Sequence, residues 1–113
     1  MRDSEFVMMA DQALADIERR LDASGADLDY AMIGSGVLEI EFADGGKIVV
    51  NRHAVSREIW LAGRSGGFHF RWNGEAWRGT KDDRELMAVL SELVSRQAGA
   101  RVDLRGGRGA ENG

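Results

Sequence analysis

The 113-residue chain contains no cysteine and no proline. The first absence removes disulfides, thiolate nucleophiles, zinc ribbons and cysteine-ligated clusters. The second leaves every turn to Gly, Asn, Asp and Ser, and 15 glycines are available for that work. No apolar run approaches the length of a membrane span. The opening MRDSEFVMMADQ has no basic region followed by an apolar run, and acids begin at Asp3. Neither a secretory signal nor a transit peptide is expected, and the chain reads as a cytoplasmic bacterial protein. Positive charge is in deficit, with 15 Lys and Arg against 19 Asp and Glu and a net charge of -4. That balance argues against general nucleic-acid affinity. It permits cation binding and attraction to basic partners.

What is present suits one soluble domain with one core: 43% hydrophobic and 30% charged residues. Ser4 to Leu21 reads as a helix, with Ser4 as its cap and Asp3 and Glu5 suiting its N-terminal dipole. Phe6, Met9, Ala10, Ala13, Leu14, Ile17 and Leu21 share one face. Strands are expected over 27–33, 36–42, 47–51, 57–62, 68–72 and 75–78. Asp44-Gly45-Gly46 and Asn73-Gly74 read as hairpin turns. A second helix is expected over about 82–97, capped by Thr80 or Asp82 and ended at Ala98-Gly99. Val102 and Leu104 are placed to tuck back onto the body, giving a domain over 1–104 and a disordered tail over 105–113. Hairpin-linked strands make an antiparallel sheet. Two amphipathic helices on one face of it make an α+β fold, a two-layer α-β sandwich of about six strands.

The segment 46–72 carries the sharpest signal. Side chains alternate between the two faces of a strand. Leu38, Ile40, Phe42, Ile48, Val50, Ile59, Leu61, Phe68, Phe70 and Trp72 then build the core. The same parity sends Glu39, Glu41, Lys47, Val49, Asn51, Trp60, His69 and Arg71 to the opposite face. A tryptophan there, between Ile59 and Leu61, points to a docking surface. The competing reading has Trp60 cover an edge or pack under the 52–56 loop, where its N–H would need a partner. His53 and His69 are the two histidines. His69 is able to titrate near neutrality or ligate a metal, and the plainer reading of each is a surface histidine beside Trp60.

A second constellation is acidic. Asp11, Glu18 and Asp22 fall on one exposed side of the first helix, and Asp27 and Asp29 share a face of the first strand. If that strand borders the helix, the five form a ridge whose oxygen ligands suit hard cations, iron included. The competing reading is a solvated helix face, with Arg19 and Arg20 beside it and Ala15 interrupting it. The first strand fits two registers, with either Leu28, Tyr30 and Met32 or Ala31 and Ile33 turned inward. Enzyme templates find no support: the serines have no paired His and acid in a recognisable order. GRSGG at 63–67 enters a strand rather than a helix, so it is not a phosphate loop.

Several segments match one family. DSEF and ADQ near the start, GSGVLEIEF (34–42), GGKIVVNR (45–52), IWLA (59–62), SGGFHF (65–70), NGEAW (73–77) and QAG (97–99) resemble the frataxin family, its bacterial members most closely. The resemblance covers about residues 1–104. It implies the sandwich derived above, weak iron binding, and a non-enzymatic, regulatory role in iron–sulfur cluster assembly as a monomer. It implies as partners cysteine desulfurase and the cluster scaffold protein, with neither nucleic acid nor membrane. Carried over by residue, it implies a metal-binding ridge of Asp3, Asp11, Glu18, Asp22, Asp27 and Asp29. It implies partner contacts at Asn51, Arg52 and Trp60, to which His69 and Arg71 of the same face are added. Arg19, Ala23 and Ala31 stand where acids are common in bacterial relatives, which implies reduced iron capacity. Ala54-Val55-Ser56 lacks the proline typical before IWLA. Two other readings are an iron donor or store with ferroxidase-like activity and a nucleic-acid-binding sheet. Net acidity and the inward parity of Phe68 and Phe70 count against the last.

Overall fold

The structure, a computed structural model, describes residues 1–105; the expected tail beyond Arg105 lies outside the described residues. Two helices, α1 (Asp3–Ser24) and α2 (Leu86–Ala98), flank a run of six strands. The strands are β1 (Leu28–Met32), β2 (Val37–Phe42), β3 (Lys47–His53), β4 (Glu58–Gly63), β5 (Gly66–Trp72) and β6 (Trp77–Gly79). They pair in sequence order, every pair antiparallel. No helix among the described residues is long and apolar enough to cross a membrane.

The apolar stripe of α1 behaves as its spacing requires. Phe6, Ala10, Ala13, Leu14, Ile17 and Leu21 are all buried. They meet Leu38, Ile40, Phe42, Ile48, Val50, Ile59, Leu61 and Phe70 of the sheet and Leu86, Leu90, Leu93 and Val94 of α2. Phe68 and Trp72 pack at the margin of this core, half-buried. Val102 and Leu104 complete it: Ser95 and Ser91 of α2 accept the N–H groups of Val102 and Leu104 at 2.8 Å each. Arg20 of α1 donates to the Leu104 and Arg105 carbonyls from the other side.

The helix starts differ from expectation. Ser4 lies inside α1 rather than capping it. Arg2 is the cap residue, and its N–H donates to Glu5 at 3.0 Å. Helix α2 starts at Leu86 because Asp83 takes a left-handed conformation (φ 60°) and Glu85 is extended. The Glu85 carboxylate, not Thr80 or Asp82, accepts from the Met87 and Ala88 N–H groups. The sixth strand starts late for a similar reason: Asn73 Oδ1 holds the Glu75 and Ala76 N–H groups in the turn.

The register of β1 is settled by its pairing. Tyr30 sits opposite Ile40 and Met32 opposite Leu38, so Leu28, Tyr30 and Met32 share the helix-side parity. Leu28 and Tyr30 pack on the core, while Met32 at the strand end is exposed. Asp29 and Ala31 face the other way, beside Glu41 and Glu39.

Candidate functional site

The sheet face away from the helices is organised in rows. Antiparallel pairing sets Val37, Asn51, Trp60 and His69 side by side across four strands. The next row reads His53, Glu58, Arg71 and Arg78, of which the first two pairs on β3–β4 and β5–β6 are direct register partners. Trp60 is half-buried, and both faces of its indole are covered. The His53 ring stacks on one side at 3.7 Å between centroids, and His69 on the other at 4.3 Å, both nearly parallel. A ring sandwiched in this way offers its edge to a partner, not its face. It is therefore no platform for stacking a base.

Glu58 holds this assembly from beneath. It is buried at 6% exposure, although parity points it outward. The Trp60 indole N–H donates to Glu58 Oε1 at 2.8 Å, and the Ser56 hydroxyl donates to the same oxygen at 3.2 Å. Arg71 donates to Oε2 at 2.7 Å, and His69 Nδ1 lies 3.5 Å from Oε1. Ser56 also meets His53 Nδ1 at 2.8 Å, which closes the network back to the stack. Burial alone would raise the Glu58 pKa. Hydrogen bonds from Trp60, Arg71 and Ser56, with the Arg71 charge, outweigh it and hold Glu58 below the usual glutamate value.

Arg52 does not belong to this face. It pairs with buried Ile59 and so projects toward the helices. There it donates to Asp11 of α1 at 2.6 Å and to Ser35 at 3.0 Å. Gly36 makes the room: a Cβ there would lie 2.3 Å from the guanidinium, and its φ of +78° favours glycine independently.

The acids do not form one continuous ridge. Asp11, Glu18 and Asp22 run along α1 beside β1 and the 34–36 turn, and Met32, Ser35 and Gly36 share a shallow groove with Asp11 and Glu18. Burial and then the negative charge of Asp22 raise the Tyr30 phenol pKa, with a smaller push from Glu18. Asp3 sits at the far end of α1, bound by Arg57 at 2.6 Å. Asp29 lies on the opposite side of the sheet, next to Glu41. At a rise of about 1.5 Å per residue, Asp11, Glu18 and Asp22 are spaced by about 10 and 6 Å along the axis. Among the described residues, no three Asp, Glu or His side chains come close enough to hold one metal ion.

A frataxin-like domain model matches residues 1–100. The chain belongs to the frataxin-like family. It is 58% identical over 105 residues to the iron-sulfur cluster assembly protein CyaY of Dechloromonas aromatica (strain RCB), covering 93% of this chain and 100% of that one. The corresponding protein of Herminiimonas arsenicoxydans is 50% identical over 109 residues, covering 93% and 97%. Among solved structures, the frataxin from Psychromonas ingrahamii superposes with a TM-score of 0.85 at 34% identity, covering 92% of this chain and 98% of that one.

In this frataxin-like domain the structure brings Asn51, Trp60, His69 and Arg71 together and leaves Arg52 on the other side. Two further members of the site are His53, read from the sequence as a surface histidine beside Trp60, and Glu58, which the sequence did not single out. His53 was readable by the parity that places Asn51 outward. Glu58 was not, because its burial depends on Arg71, thirteen residues further on, and on a ring stack above it.

Proposed function

We propose that this protein is a cytoplasmic, monomeric and non-enzymatic regulator of iron–sulfur cluster assembly that acts by docking its outer sheet face on cysteine desulfurase, alone or with the cluster scaffold. The observation that carries this reading is the Trp60 edge. A large aromatic is held rigid on an open sheet by two stacked histidines and a buried carboxylate, with Asn51 beside it. Rigid, partly desolvated aromatics flanked by Arg and Asn are the composition of an interface hot spot. Family membership and the naming of the relatives as cluster assembly proteins support the pathway.

Iron is a weakly held second ligand in this reading. The carboxylates of Asp11, Glu18 and Asp22, with Asp3 at the start of α1 and Asp27 in the link between α1 and β1, attract a hard cation electrostatically rather than caging it. Asp29, on the other face of the sheet, lies outside this field. The same charge steers basic partner surfaces. A pull-down with tagged cysteine desulfurase, with and without scaffold, tests the reading. Retention that is lost on replacing Trp60 supports it, and no retention under either condition refutes it.

A further inference from the structure

The outer face is electrically polarised. Asp29, Glu39 and Glu41 occupy its β1–β2 side, joined by one cation, Lys47, 3.6 Å from Glu39. The β5–β6 side carries Arg71 and Arg78, which are direct register partners on the same face. Like charges directly opposite one another across strands are destabilising. Glu58 engages Arg71, while Glu85, the bridge partner of Arg78 on its other side, spends its carboxylate on the Met87 and Ala88 N–H groups of α2 and makes no ion pair with Arg78 among the described residues. Arg71 spends one NH2 group on it, and its side chain is 64% exposed. Arg78 makes one long bond, to the Asp83 carbonyl at 3.3 Å, and no ion pair among the described residues. Most donors of both guanidiniums therefore remain to be used, on register-partner positions of the face that carries Trp60 and His69.

We infer that Arg71 and Arg78 form a carboxylate-recognition site, which takes an Asp or Glu side chain from an acidic segment of the protein docked across Trp60. The inference rests on the docking face proposed above and names the chemistry that face selects. Arginines on register-partner positions each carry a forked set of donors that matches a carboxylate. Glu58 contributes by fixing the Arg71 fork in place. The acidic β1–β2 side repels the same segment, so the partner's orientation is set as well.

The test uses the full chain, labelled with 15N. A blocked hexaglutamate peptide is titrated in while the side-chain Nε–H signals of Arg71 and Arg78 and the Trp60 indole N–H are followed. Saturable shifts at these three groups are expected, and Arg78→Ser should weaken them by about tenfold. Arg71→Lys, which keeps a cation for Glu58 but removes the fork, should do the same. Equal shifts with inorganic phosphate at matched ionic strength would reduce the site to a general anion patch and overturn the inference, as would shifts centred elsewhere. The same variants are then compared with Trp60→Ala in binding to cysteine desulfurase. Weakening by Trp60→Ala and by both arginine variants supports the inference. Weakening by Trp60→Ala alone overturns it and leaves the docking face standing. No weakening by any of them overturns both.

Discussion

Glu58 accepts the indole N–H of Trp60 at 2.8 Å while binding Arg71 at 2.7 Å through its other oxygen. One buried carboxylate thus positions both the docking tryptophan and the most exposed cation of the same face.

Removing that carboxylate should cost stability and order. Glu58→Ala leaves the Trp60 N–H and Arg71 without their acceptor, and a loss of about 1–3 kcal/mol is expected. Glu58→Gln keeps one acceptor and should lose less. Urea unfolding checks the first statement. Tryptophan near-ultraviolet circular dichroism checks that the stack loosens in the alanine variant and persists in the glutamine one.

The same group gives acid sensitivity with a defined sign. The pKa of Glu58 is lowered in the folded protein below the usual glutamate value. The unfolded chain therefore binds this proton first as pH falls, so stability rises with pH through that interval. The contribution is complete above the unfolded value and disappears as pH falls through the folded one. Urea stability measured from neutral pH down into the acid range should fall more steeply for the native chain than for Glu58→Gln.

Gly36 and Arg52 should be coupled. Gly36→Ala places a Cβ against the Arg52 side chain and forces alanine into a left-handed conformation, so destabilisation of about 1–3 kcal/mol is expected. Combining it with Arg52→Ala should relieve the steric part and leave the backbone part. A double-mutant cycle in urea reads the difference.

Iron should find the α1 acids diffusely. Neutralising Asp11, Glu18 and Asp22 together should abolish ferrous broadening of the NMR signals along α1, and Asp29→Asn should leave that broadening unchanged. Because no three ligands converge among the described residues, raising salt should weaken the effect steeply.

Much of this was legible from alternation and helical spacing. The α1 stripe, the inner sheet residues and the outward row of Asn51, Trp60 and His69 follow from side-chain periodicity, which short-range sequence carries. The first-strand register was not legible, since shifting Leu28–Met32 by one residue exchanges one plausible apolar set for another. The pairing of Tyr30 with Ile40 decides it. Arg52 was grouped with its sequence neighbour Asn51 through the family resemblance, whereas adjacent strand residues face opposite ways. The burial of Glu58 was hidden because a carboxylate is ordinarily exposed unless partners satisfy it, and here Trp60 and, from thirteen residues further on, Arg71 do.

The central claim is that Trp60 is the anchor of a protein-docking face. Isothermal titration of cysteine desulfurase with the native chain and with Trp60→Arg tests it most directly, with circular dichroism confirming the fold of the variant. The account predicts binding by the native chain and at least tenfold weaker binding by a folded Trp60→Arg. Unchanged affinity, or a variant that cannot fold, would contradict it.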